Sequence, residues 1–496
     1  MDLPISFVNR MKEYLNEEFD AFIKSYENAE IKGLRMNNKE AAPSDILGAV
    51  FDDVLWCENG YSYFDDDIHP GKHPYHECGA YYIQEPSAMA PVTYLDIEPN
   101  DRVLDLCASP GGKSTQIGAL LNGTGILVSN EIMPDRAKVL SENIERMGIG
   151  NALVISEDPR NISTRFEGFF DKILVDAPCS GEGMFRRSEV AVKEWSEENV
   201  KLCADRQAWI LDEAAKMLRE GGTLVYSTCT FSKEEDEEQI KIFLTRHSEF
   251  TLSEMEVCGG MKPGFEGIGV RLWPHLVRGE GHYVCKLVKN GTLGQTQQLN
   301  GTHEQTQTTV SRNAKSEHFA DCSVKPCLAS LMLTKRPPVY GYEPDLSKKD
   351  RDGLKEMFDF FNKNIKDKGF LEGRRLTKFK DQIYMLPKEC PSLKGMKVLR
   401  PGLHLGTILK NRFEPAHALA RILRADDVEN ACELSVNDLE VIKYFNGETF
   451  NKDKENGWYI IFVDGFSMGW GKITNGIVKN HYPKGLRKSL SVNCKG

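Results

Sequence analysis

The chain has 496 residues, 40% hydrophobic and 27% charged, with a formal net charge of −10, a balance that excludes wholesale disorder and allows a sizeable core. At roughly 150 residues per domain the length argues for about three domains, and no window reaches the roughly 18 uninterrupted apolar residues of a membrane span. The thirteen cysteines include no CxxC pair, and the charged N-terminus lacks the apolar core of a signal peptide, so we expect a cytoplasmic protein with free thiols and no metal site.

In chain order, residues 1–85 open with an amphipathic helix in which Phe7, Met11, Tyr14, Leu15, Phe19, Phe22 and Ile23 recur near helical spacing. An aromatic-rich irregular part follows, whose His69, His73 and His76 sit among Pro and Gly and read as loop histidines rather than metal ligands. From 86 to 290, apolar β runs alternate with helical stretches: "DRVLDLCA", "GILVSNE", "ALVISED", "DKILVDAPC" and "GGTLVYSTCT". That alternation specifies an α/β, doubly wound and mostly parallel sheet whose ligands bind at the carboxyl ends of the strands. Residues 291–324 are polar and Gln/Thr-rich and read as a flexible linker. Two smaller units follow, one over 325–393 with the helix "LKEMFDFFNKNI", and one over 394–496 with short strands among glycine turns.

The stretch "LDLCASPGGKSTQI" places a tight Pro-Gly-Gly turn between a strand and a helix whose free N–H groups suit a small anionic group. Its spacing fails the P-loop, because Cys107 stands where the first glycine is needed, and fails GxGxxG, because Gly111 and Gly112 are adjacent. A nucleoside cofactor without a phosphate chain remains. Glu131 closes the next strand, where a carboxylate can accept both ribose hydroxyls, and Asp158 closes the third, in a place suited to an adenine edge. Together these features describe an S-adenosylmethionine pocket.

Two further runs end at the same sheet edge, each with a cysteine: Cys179 after Asp176-Ala177-Pro178, and Cys229 between Thr228 and Thr230. A thiolate adding to carbon 6 of cytosine makes carbon 5 enamine-like and able to accept a methyl group, and a second thiol can assist release. Asp176 is placed to hydrogen-bond the N3/N4 edge of the ring. The acidic run Glu234–Glu238 reads as a solvated helix start, and Arg186 and Arg187 as candidates for gripping a target strand.

These motifs, "DAPCSGEG" and "STCTFSKEEDE", resemble those of the RNA cytosine-C5 methyltransferase family, and more narrowly its bacterial 16S ribosomal RNA members. "YYIQEPSAMAP" resembles the family's entry motif, and "GWGKITNGIVKNHYPKGLR" its PUA-like C-terminal domain. The resemblance implies a Rossmann-like methyltransferase sheet behind an N-terminal RNA-binding extension, with two smaller C-terminal domains. It implies that Cys107, Ala108, Ser109, Pro110, Gly111, Gly112, Lys113, Glu131, Asp158 and Asp176 contact S-adenosylmethionine or lie beside it. It further implies that Cys229 is the nucleophile and Cys179 assists release.

The expected partner is RNA, small-subunit ribosomal RNA foremost, with transfer RNA as the alternative acceptor and the protein expected to be monomeric. Net acidity does not oppose this, since Gly465–Gly496 carries six Lys/Arg and no acid, and Cys390–Phe413 carries Lys394, Lys397, Arg400, Lys410 and Arg412 without one. Two rival readings are a methyltransferase of protein or of a nucleobase amine, for which an Asn-Pro-Pro-Tyr-like loop would be expected, and a non-catalytic ribosome-assembly factor, which two intact cysteine motifs argue against.

Overall fold

The computed structural model describes residues 2–37, 42–64, 68–291 and 345–487. Apart from Gly291, the expected linker lies outside them, as do residues 325–344 of the unit that follows.

Five parallel strands form the centre of the molecule: β1 (Arg102–Asp105), β2 (Ile126–Asn130), β3 (Ala152–Ile155), β4 (Phe170–Asp176) and β5 (Leu218–Thr228), in spatial order β3-β2-β1-β4-β5. They are apolar on both faces because both faces are covered. Leu104, Val128, Leu153, Ile173 and Leu224 enter one core. Their neighbours Val103, Leu127, Val154, Leu174 and Val225 enter the other, as the two-residue period of a strand requires. The turn of chain direction between β1 and β4, with β2 and β3 on one side and β5 on the other, is the switch point where ligands of such sheets sit.

Antiparallel strands extend both edges. His282–Lys289 pairs with β5, and Phe250–Leu252 and Val270–Leu272 pair with it in turn. On the opposite edge Val398–Pro401 pairs with β3. The division expected at 393/394 therefore cuts through continuous structure: Val398–Pro401 completes the central sheet, and Leu403–Leu409 pairs with Gln382–Leu386 from the other side of the expected boundary. Arg400, buried, holds that edge against Glu145 of the helix Pro134–Arg146. Edge pairing of this kind leaves no local signal in the sequence.

The N-terminal amphipathic segment forms as two helices, Ile5–Leu15 and Phe19–Ser25. Phe7, Met11 and Phe22 pack against Phe185 and Phe231, each a few residues past one of the two cysteines. The rest of the N-terminal part includes a four-stranded sheet; its Leu34, Tyr63 and Tyr81, with Tyr75 of the short helix Pro74–Glu77, share one core with Ile461 and Val478 of the C-terminal five-stranded sheet and Tyr444 of the helix Leu439–Asn446. Tyr75 donates to Asp464 across that contact, at 2.6 Å. Among the described residues, no helix is long and apolar enough to cross a membrane.

Candidate active site

The turn after β1 is built by residues that only its geometry explains. Gly111 has φ +115°, a conformation side chains avoid, and the helix Gly112–Leu121 starts directly after it. Arg35, buried, donates to Gly112 O at 3.3 Å, to Thr115 Oγ1 at 2.9 Å and to Gln84 Oε1 at 3.2 Å. The stretch around Gln84 thus braces the turn from outside the sheet.

The expected acids line the ends of the neighbouring strands. Glu131 is buried just past β2 and accepts from Met133 N at 2.9 Å, with Arg136 3.4 Å away. Asp158 is half-buried past β3 and caps the helix Pro159–Ser163 by accepting from Arg160 N at 2.9 Å. At the end of β1, Asp105 is wholly buried and accepts from Ser114 Oγ at 2.7 Å through Oδ2, while Oδ1 has no hydrogen-bond partner among the described residues. An acceptor kept dry beside this turn suits a cationic small molecule, which S-adenosylmethionine is.

Burial pushes Asp105 up to about 7, the Ser114 hydrogen bond offsetting only part of it. Because this lies above the ordinary value of 3.8, folding favours the acid form, and its contribution to stability is complete below about pH 4 and lost as pH rises through 7. Asp105→Asn, neutral throughout, is expected to raise the melting temperature at pH 8 by at least about 5 °C and to leave it unchanged near pH 4. Melting curves at both pH values check this; an equal shift at the two contradicts it.

The two cysteine loops are locked to each other. Cys179 Sγ and Cys229 Sγ are 3.3 Å apart. Gly183 N donates to Cys229 O at 2.8 Å, and a Cβ on Gly183 would stand 3.0 Å from both Cys229 O and Gly281 O, so a larger residue would have to push the two loops apart by a few tenths of an ångström. Glu182, buried in the Pro-Cys loop, accepts from Phe231 N at 2.8 Å, Ser232 Oγ at 2.7 Å and Trp195 Nε1 at 2.9 Å. Glu235 reaches back from the Thr-Cys side and accepts from Ser180 N at 3.0 Å and Gln207 Nε2 at 2.8 Å.

Two expectations are overturned here. Within the acidic run, Glu235, Asp236 and Glu237 are buried, not solvated. Arg271 pairs with Glu237 through two bonds of 2.7 and 2.6 Å and lies 3.0 Å from Asp236, while Thr228 donates to Asp236 at 2.6 Å. The counter-charge comes from a strand remote in sequence, which a local charge pattern cannot reveal. Arg186 and Arg187 are likewise committed within the protein. Arg186 pairs with Glu280 at 2.6 Å and donates to Ser25 O and Gly279 O, and Arg187 pairs with Glu30 at 2.6 Å. Both arginines fasten the N-terminal part to the loops, so neither is the unpaired surface charge that the expected grip on a target strand assumed.

Asp176, at the end of β4, accepts from Lys113 Nζ at 2.7 Å and from Ser227 Oγ at 2.8 Å, with His282 Nε2 3.4 Å from its Oδ1. Burial pushes its carboxyl up, but Lys113 and His282 outweigh that and hold it well below the usual carboxylate range. The hydrogen bond to Cys229, together with burial, pushes the Cys179 thiol well above the usual thiol range, so Cys179 keeps its proton at neutral pH. Ser227, Glu182 and His282 were not singled out from the sequence. Glu182 and Ser227 lie inside the two motifs; His282 arrives on an antiparallel strand, whose first residue, not its last, falls at the ligand edge.

Residues 92–288 match a family model described as 16S rRNA methyltransferase RsmB/F. Residues 3–86, 359–423 and 431–488 match the N-terminal, first C-terminal and PUA domains of RsmF. A ribosomal RNA small subunit methyltransferase F of Aeromonas salmonicida is 30% identical over 487 residues, covering 94% of this chain and 93% of that protein. The chain belongs to the ribosomal RNA small subunit methyltransferase F family. The Shewanella loihica member is 28% identical over 505 residues, covering 97% of this chain and 94% of its own length. Among solved structures, a methyltransferase homolog protein from Pyrococcus horikoshii aligns with TM-score 0.50 and 26% identity over 57% of this chain and 94% of that one. NSun6 from the same organism, solved with SFG, aligns with TM-score 0.51 and 21% identity over 58% of this chain and 98% of that one, a likeness of fold. As a methyltransferase of this family the protein is S-adenosylmethionine-dependent, and its C-terminal unit is PUA-like.

Proposed function

We propose that the protein is an RNA (cytosine-5)-methyltransferase acting on small-subunit ribosomal RNA, with Cys229 as nucleophile and Cys179 assisting release. The observation that carries the reading is the thiol pair, 3.3 Å apart beside the Lys113–Asp176 ion pair. An amine or protein methyltransferase has no use for two such thiols.

The residues that would hold S-adenosylmethionine are the turn Cys107–Lys113, with Glu131, Asp158 and Asp176 at the neighbouring strand ends, and the dry oxygen of Asp105 beside the turn. When bound, the cofactor supplies an electrophilic methyl group to carbon 5. Asp176, kept ionised by Lys113, accepts from the exocyclic amine of the base and orients the ring. Cys229 adds to carbon 6, forming a sulfur–carbon bond and pushing the ring π pair towards carbon 5. After alkylation the carbon-5 proton passes to water, the electron pair of its bond reforms the double bond, and the Cys229 thiolate leaves. Cys179, protonated and at hydrogen-bond distance, is placed to hand its proton to the departing sulfur. The target base must leave its stack to reach this edge.

An RNA acceptor is supported by the relatives' names, by the PUA match and by charge. Lys394, Lys397, Lys410, Arg412, Lys472, Lys479 and Lys484 are all exposed, available to phosphates that fix register. For about five phosphate contacts, RNA affinity is expected to fall roughly 100-fold between about 50 and 200 mM salt; filter binding across that range showing no change contradicts it.

Bisulfite sequencing of small-subunit RNA from a deletion strain tests the function. One or more 5-methylcytosines are expected to vanish, to return with the wild-type gene, and to stay absent with Cys229→Ala. An unchanged methylation pattern in the deletion strain counts against the reading.

A further inference from the structure

We propose that His282 is a catalytic residue of this site, its Nε2–H donating to the N3/O2 edge of the target base as the thiolate adds. The inference rests on the cytosine-C5 reading above.

His282 opens the strand His282–Lys289, antiparallel to β5, in a register where Tyr283 faces Thr228, the residue before Cys229. The ring therefore arrives at the edge that carries Asp176 and both thiols. It is only 4% exposed. Its Nε2 stands 3.4 Å from Asp176 Oδ1 and has no hydrogen-bond partner among the described residues. Buried polar atoms are ordinarily satisfied, so an unsatisfied one at this edge is suited to a ligand. The approach to it is fixed as well: Glu85 accepts from Glu280 N at 2.8 Å, and Ser87 Oγ from Gly281 N at 3.3 Å.

Chemistry supplies the role. When sulfur bonds to carbon 6, the displaced π pair spreads over carbon 5, N3 and O2, and negative charge there calls for a donor. Asp176 is an acceptor, since its carboxylate is held ionised by Lys113 at 2.7 Å. Lys113 Nζ and Ser227 Oγ both already donate to Asp176. His282 Nε2 has only the longer 3.4 Å contact with Asp176 Oδ1, so it can turn its donation to the base without giving up its proton, and the charge returns to sulfur when the thiolate leaves. A preorganised donor of this kind lowers the barrier because it needs no reorientation as charge develops.

The test is single-turnover formation of the covalent adduct on RNA carrying 5-fluorocytosine, with S-adenosylmethionine, for wild type, His282→Phe and His282→Gln, beside RNA affinity and melting temperature. His282→Phe is expected to slow adduct formation by about 100-fold with RNA affinity and melting temperature unchanged. His282→Gln, which keeps an N–H near the Nε2 position, is expected to recover at least about tenfold of that loss. The proposal is overturned if His282→Phe stays within about threefold of wild type, if both variants are equally slow, or if the loss follows RNA affinity or melting temperature. A wild-type protein that forms no adduct would instead remove the underlying function.

Discussion

Cys229→Ala is expected to lower methyl transfer by about 10⁴-fold or more and to form no denaturation-resistant adduct with 5-fluorocytosine RNA, while S-adenosylmethionine and RNA still bind. The size of the loss follows from the chemistry. Carbon 5 of cytosine is too weak a nucleophile to react unless sulfur has first bonded to carbon 6, and no other group in the site can supply that bond with Cys179 held protonated. The alanine variant should fold, because the Thr-Cys loop is fastened by Thr228 on Asp236, Glu182 on Phe231 N and Ser180 on Thr230, none of which involves the Cys229 sulfur. The measurement is gel mobility of protein–RNA adduct together with methyl incorporation. Adduct formed by the alanine variant at the wild-type level would sink the assignment.

Cys179→Ala is expected to behave in the opposite sense. The first half of the reaction does not call on Cys179, so the adduct should form on ordinary RNA; without the neighbouring thiol its release slows, and the adduct accumulates while turnover falls by about 10²-fold or more. The 3.3 Å sulfur separation is what makes the division of labour physical, since proton transfer to a leaving sulfur requires contact. Denaturing gels of this variant with unmodified RNA should show a retarded band that wild type lacks. Normal turnover with no band would leave Cys179 as a packing residue.

What the sequence reveals and what it hides divides along the range of the interactions. The Pro-Gly-Gly turn, Glu131, Asp158 and the two cysteine motifs are local in the chain, each at the end of an apolar run, and once the runs are parallel neighbours those ends must share an edge. The structure brings them there. The buried acids Asp236 and Glu237 were misread because their partner, Arg271, lies on a strand added from a distant segment. Arg186 looked like a free basic residue because Glu280, Ser25 and Gly279 meet it only in three dimensions. His282 escaped notice for a related reason: its strand runs against the others, reversing which end faces the ligand. The boundary expected at 394 failed on Val398–Pro401, four residues that no periodicity distinguishes from a linker and that pair with β3.

The most direct test of the nucleophile is to trap the wild-type protein on 5-fluorocytosine RNA, digest with trypsin and nuclease, and find by mass spectrometry which peptide carries the methylated nucleotide. Attachment to Glu220–Lys233, which contains Cys229, is the expected result. Attachment to Ile173–Arg186, which contains Cys179, would contradict it and reverse the roles of the two thiols.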